Sequence, residues 1–98
     1  MAKGYWIVHV DVLNLEQFKA YASATPKALK QHGAEFLARA GQFENPEGIT
    51  KARNTIIEFP SYQAAIDCYY SQEYQEAAKL RASTAIDIII VEGVNETT

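Results

Sequence analysis

The stretch Tyr5-Trp6-Ile7-Val8-His9-Val10-Asp11-Val12 decides how this chain is read. Trp6, Val8, Val10 and Val12 share one parity, and Tyr5, Ile7, His9 and Asp11 share the other. That period of two marks a strand with two unlike faces. The first parity is wholly apolar and needs a cover. The second mixes large apolar groups with polar ones, which is not the pattern of a plain solvated face.

Downstream residues supply the cover. Asn14 is an N-cap candidate with Gln17 three residues on, and Leu15, Phe18, Ala22 and Leu29 fall within a narrow arc at 100° per residue. This predicts a helix closed by Gly33. Pro26 inside the pattern removes a backbone donor, so Thr25 reads as a fresh N-cap and the helix as kinked or in two pieces. Residues 34–40 predict a second strand, with Phe36 and Ala38 on one side and Glu35, Leu37 and Arg39 on the other. The turn-rich run Gly41-Gln42-Phe43-Glu44-Asn45-Pro46-Glu47-Gly48 predicts a long connection. A third strand over 53–59 sets Ile57 and Phe59 opposite Asn54, Ile56 and Glu58.

Pro60 and Ser61 then open a helix whose inner face is Tyr62, Ala65, Ile66 and Tyr69. Glu73 would intrude on that face in an unbroken helix, so a break with Ser71 as a second N-cap is predicted, followed by Tyr74, Ala77 and Ala78. Residues 86–91 are apolar except Asp87 and read as a strand buried on both faces.

The order β-α-β-β-α-β predicts an α+β, ferredoxin-like, split βαβ fold. Its four-stranded antiparallel sheet carries both helices on one face. Trp6, Val8, Val10, Ile57 and Phe59 then point to the helices. Tyr5, Ile7, His9, Leu37, Arg39, Ile56 and Glu58 lie on an open face. An apolar patch of that size marks an interface or groove, and a two-fold homodimer joined through the open faces is expected.

Size fits this reading. The 98 residues, 48% hydrophobic and 21% charged, suit one globular domain with its core over about 4–93 and a short flexible C-terminal tail. A chain of this mass buries roughly 65% of its surface on folding, enough without disulfides or metal. A disordered chain, a rod and two independent domains are excluded. With nine basic against twelve acidic residues and a net charge of −3, no positive field is available for nucleic acid. The single Cys68 forms no internal bridge, no signal peptide is visible at the N-terminus, and no stretch reaches the ~20 apolar residues of a membrane span. A cytoplasmic protein is predicted, with neither nucleic acid nor membrane as partner. The sequon Asn95-Glu96-Thr97 is then without consequence.

Several segments match a known pattern in order: Gly4-Tyr5-Trp6-Ile7, Gly33-Ala34-Glu35-Phe36-Leu37-Ala38-Arg39, Ile57-Glu58-Phe59-Pro60-Ser61, Tyr69-Tyr70-Ser71-Gln72-Glu73-Tyr74, Arg81, and Ile90-Val91-Glu92-Gly93. Together they resemble a small bacterial family catalogued as domain of unknown function thirteen-thirty, in the dimeric alpha/beta barrel superfamily. The resemblance implies a ferredoxin-like protomer and a dimer closing into a barrel, and no established reaction. The chain departs from the pattern in carrying His9 where Arg is frequent, and Ala40-Gly41 in place of a glycine pair.

Candidate chemistry centres on His9, Arg39 and Glu58. An imidazole near a carboxylate can move protons, and a guanidinium can grip a carboxylate or enolate. The plainer account of these residues is a dimer interface in which Arg39 and Glu58 pair. Tyr5, Tyr69, Tyr70 and Tyr74 offer rings and hydroxyls for a ligand pocket, or packing alone. Cys68 reads as a buried packer, and His32 as a helix C-terminal residue. His9, His32 and Cys68 lack metal-ligand spacing, and no nucleotide or nucleophile-elbow motif occurs, so neither metal nor cofactor is predicted. Two functions fit. One is a small dimeric protein that binds a small organic ligand in a cavity near the dimer interface. The other is a cofactor-free enzyme, monooxygenase- or isomerase-like, acting on a small aromatic or carbonyl compound.

Overall fold

The computed structural model describes residues 2–82 and 84–95. Along the chain run β1 (Gly4–Asp11), α1 (Leu15–Gln31), β2 (Glu35–Arg39), β3 (Arg53–Phe59), α2 (Tyr62–Tyr70), α3 (Gln72–Ala78), a 3-10 turn (Lys79–Arg81) and β4 (Ala85–Glu92). The strands form one antiparallel sheet in the order β2-β3-β1-β4, an α+β arrangement consistent with the ferredoxin-like fold. The chain is 17 Å thick along its shortest axis, the depth of one sheet and one helical layer.

The parity of β1 sorts the two faces. Trp6, Val8 and Val10 are buried against the helices, with Ile57 and Phe59 beside them and Ala28, Leu29, Ala65, Cys68, Tyr74 and Ala77 above. Trp6 is 1% exposed, meets Phe59 at a tilt and Tyr74 edge-on at ring distances of 5.2 and 5.0 Å, and donates from Nε1 to the Ala65 carbonyl at 3.0 Å. That bond satisfies the one polar atom of an otherwise apolar side chain.

Local chemistry closes the helices where the residues predict. Asn14 Oδ1 accepts from the Gln17 amide at 3.0 Å, Ser61 Oγ from Ala64 at 3.0 Å, and Ser71 Oγ from Tyr74 at 3.1 Å. Each such cap stabilises by about 1 kcal/mol. The predicted break is at Ser71, whose ψ of 152° separates α2 from α3. Gly33 ends the α1 segment at φ +74°, and a Cβ there would come within 2.8 Å of Pro60 Cγ.

Three expectations are corrected. The α1 helix runs as one element through Pro26, and Thr25 is a buried interior residue rather than a new cap. The β4 strand is not buried on both faces. It is an edge strand with Ile89 56% and Val91 43% exposed, because the helices cover only one side of the sheet. Finally, β2 does not alternate regularly. Phe36 pairs with Ile57 but Ala38 pairs with Ile56, so a bulge falls between them. An extra residue in one strand reverses the side on which every later residue points. Ala38 therefore belongs to the open face and Arg39 to the helix face. The tail expected after Gly93 lies in part, and Glu96 and Thr97 of the sequon wholly, outside the described residues.

Candidate functional site

The sequence brought His9, Arg39 and Glu58 together on the open face; the structure separates them. His9 lies opposite Asn54 and Asp87 in the ladder, whereas Glu58 lies opposite Tyr5. Four residues along a strand amount to about 13 Å. Arg39, turned by the bulge, is on the other side of the sheet.

Each open-face group is held locally. Asn54 Oδ1 takes a hydrogen bond from Thr50 Oγ1 at 3.0 Å and lies 2.5 Å from His9 Nδ1, while Asn54 Nδ2 donates to the Lys51 carbonyl at 3.3 Å. Because that oxygen only accepts, His9 Nδ1 carries the proton and donates. Asp87 pairs with Lys51, and this hydrogen bond raises the Lys51 pKa. Glu58 accepts from the Tyr5 hydroxyl and from Lys3, each at 3.3 Å. Between these polar ends runs an apolar row, Ile56-Ile7-Ile89, in direct register across three strands.

The helix face holds a cavity of about 100 Å³ between α1 and the sheet. Its interior wall includes Val8, Thr25, Leu29 and Ile57, and its aromatic wall Phe18, Tyr21, Phe36 and Tyr74. Arg39 and Arg53, both exposed, form part of the rim. The Arg39 guanidinium lies 4.2 Å from the Phe36 ring centre, and that of Arg53 lies 5.2 Å from Phe18. Flat cations stacked on rings keep their edge donors free for a ligand. Among the described residues no carboxylate lines this cavity and neither arginine forms an ion pair.

Behind the cavity the hydroxyls of Tyr21 and Tyr74 lie 2.7 Å apart, and Arg81 Nη2 donates to the Tyr74 hydroxyl at 3.4 Å. Burial, then the adjacent Tyr74, pushes the Tyr21 phenol far above its ordinary range, so it stays protonated. Arg81 also lies over the Tyr21 ring at 5.3 Å. Nearby Cys68, fully buried, has its thiol pushed up to about 12 by burial and by the charge of Glu73, so it is no nucleophile.

A second, shallower cavity of about 350 Å³ lies at the β4 edge, lined by Tyr69, Tyr70, Arg81, Ile86, Ile88 and Ile90. Thus the four tyrosines singled out from the sequence divide three ways. Tyr5 is on the open face, Tyr69 and Tyr70 are on the second cavity, and Tyr74 is at the first. Sequence reasoning missed Tyr21 and Arg53. Both left a signal: Arg53 shares the parity of Ile57 and Phe59, a charged residue in phase with core positions. Tyr21 follows Phe18 by one turn of α1. Among the described residues no three His, Cys, Asp or Glu side chains cluster as a metal site would require, and no helix is long and apolar enough to cross a membrane.

Comparison with solved structures places this geometry on a recurrent fold. A protein of unknown function from Rhodopseudomonas palustris superposes with TM-score 0.74 at 19% identity, over 96% of this chain and 84% of that one. Its methylated form gives 0.71 at 18% identity, over 99% and 84%. A conserved protein of unknown function from Bacteroides thetaiotaomicron, described as a possible oxidoreductase, gives 0.56 at 15% identity over 93% and 97%. Likeness at these identities shows the fold alone. A search of curated proteins finds no match. The model of the family described as Domain of unknown function (DUF1330) matches residues 3–94, and the chain belongs to that family.

Proposed function

We propose that the protein is a small homodimer whose protomers each bind a compact organic acid in the cavity between α1 and the sheet. The observation that carries this reading is the pair Arg39 and Arg53: two guanidiniums without carboxylate partners among the described residues, at the rim of an apolar, tyrosine-backed cavity. Two exposed guanidiniums at one rim repel each other, and an anionic ligand between them would relieve that repulsion and gain charge-assisted hydrogen bonds. At about 100 Å³ the cavity is two-thirds of the ~150 Å³ that holds the six carbons of benzene, so it takes about four non-hydrogen atoms, with the charged end of the ligand at the rim.

The dimer rests on the open face. The row Ile56-Ile7-Ile89 with neighbouring Val91 leaves an apolar stripe on a face no helix covers. Closing two such faces together is the arrangement of a dimeric alpha/beta barrel. In that assembly the sheet separates the ligand cavity from the dimer interface, in place of a site shared between subunits. The buried, unpaired Cys68 fits a cytoplasmic setting, and the net charge of −3 fits a protein that meets neither nucleic acid nor an anionic membrane surface.

Amide NMR with propionate and with the uncharged 1-propanol tests the ligand class. Saturable shifts at residues 36–40 and 53–57 with propionate alone support it, and Arg39→Gln with Arg53→Gln should abolish them. Equal response to the alcohol, or undiminished propionate binding in the double variant, overturns it. The cofactor-free enzyme reading draws on one group in the same cavity, the Tyr21 hydroxyl, which stays protonated and can hold its proton at a substrate oxygen. His9, on the far side of the sheet, has no part in it.

A further inference from the structure

The direction of the hydrogen bonds behind the cavity narrows the ligand further, granted the anion site proposed above. A guanidinium has donors and no acceptor, so the Tyr74 oxygen must accept from Arg81 Nη2. Tyr74 is 0% exposed, and its hydroxyl meets only Arg81 and Tyr21 in the hydrogen bonds of the described residues. Its proton therefore goes to the Tyr21 oxygen, the one acceptor it meets among the described residues, since an undirected buried donor would carry its full desolvation cost. Tyr21 is left with its own proton unspent, and Tyr21 lines the cavity. Arg81 also hydrogen-bonds to the Tyr21 oxygen, so donation runs from Arg81 to both phenols and from Tyr74 to Tyr21, which leaves the Tyr21 proton for a ligand in the cavity.

We propose that the ligand is an oxo acid, its carboxylate held at Arg39 and Arg53 and its neighbouring carbonyl oxygen accepting the Tyr21 proton, with Arg81 as the positioning residue that fixes that proton's direction. Arg39, Arg53 and Tyr21 all line this one cavity of about 100 Å³, which is the observation that lets a single ligand be assigned to all three. A ligand carrying an ammonium in place of the carbonyl would set a third cation beside the two arginines and leave the Tyr21 proton without an acceptor, and is refused.

Propionate, pyruvate and alanine are suitable probes, since they share a carboxylate and a three-carbon frame and differ only at the second carbon. Pyruvate should bind roughly two- to tenfold tighter than propionate, the worth of one hydrogen bond, and alanine should not bind. In Tyr21→Phe the pyruvate advantage should vanish while propionate binds as before. In Arg81→Met it should shrink, and Arg81→Lys, which restores a donor to Tyr74, should bring it back. A merely structural Arg81 would lower binding of both acids together, and that result overturns its positioning role. Propionate and pyruvate binding equally to the wild-type protein overturns the oxo-acid assignment and leaves the anion site standing. Failure of both acids to bind overturns both.

Discussion

The two faces of β1 are built from the same eight residues and behave as different materials. Trp6, Val8 and Val10 are sealed under helices, with ring contacts near 5 Å and the indole N–H bonded. Tyr5, Ile7 and His9, each adjacent in sequence to one of them, sit on a face with no cover, where polar groups pair with strand neighbours. The difference lies in what each face is packed against, because strand alternation delivers both sets with equal precision. On the helix face, side chains that cannot reach water must find protein partners, and the chain from Arg81 through Tyr74 to Tyr21 is one result. On the open face, apolar residues remain half-exposed, which favours a second copy of the chain as their cover.

That contrast can be broken most forcefully at Trp6. Trp6→Ala should cost about 3–5 kcal/mol in chemical denaturation, a large share of what a domain of this size possesses. His9→Ala, on the same strand with the other parity, should cost less than about 1 kcal/mol. Similar losses at both positions would mean that the two faces are equally structural. The open face is probed next by Ile89→Asp, which sets a charge in the apolar row. Light scattering should show the assembly fall from twice 10.9 kDa to 10.9 kDa, with the far-ultraviolet circular dichroism unchanged. A monomer in the unmodified protein would remove the dimer altogether. The smallest effect is expected at Ala40, which follows the β2 bulge, lines the cavity and holds φ +52°. A non-glycine residue there is strained, so Ala40→Gly should raise stability by roughly 0.5–1 kcal/mol in thermal or urea unfolding. A loss on that substitution would show that the alanine methyl contributes more to the cavity wall than its backbone costs.

Most of the fold was legible residue by residue. The parity of Trp6, Val8 and Val10, the caps at Asn14, Ser61 and Ser71, and the intrusion of Glu73 each express a local rule, and each was answered by the structure. Pro26 misled, since helix packing tolerates one missing N–H where local propensity alone predicts a break. The apolar run in β4 misled for another reason: its position at the sheet edge depends on strand order, which no local pattern contains. The candidate site was legible only in part. Arg39 was singled out as an anion holder on the open face beside His9 and Glu58, whereas the structure sets it at the rim of a cavity on the opposite face.

The sequence by itself determined the element order, the helix ends and the inward parity of β1 and β3. These depend on contacts a few residues apart and on the geometric period of each element. Only the tertiary structure decided which chemistry meets which. A single bulge between Phe36 and Ala38 moved Arg39 across the sheet, away from Glu58 and His9 and toward Arg53 and Phe36. The fold also brought Tyr21 of α1 against Tyr74 of α3, residues 53 positions apart. Strand register and helix docking are set by the summed packing of the whole core, so a site assembled across them exists only once that core has formed.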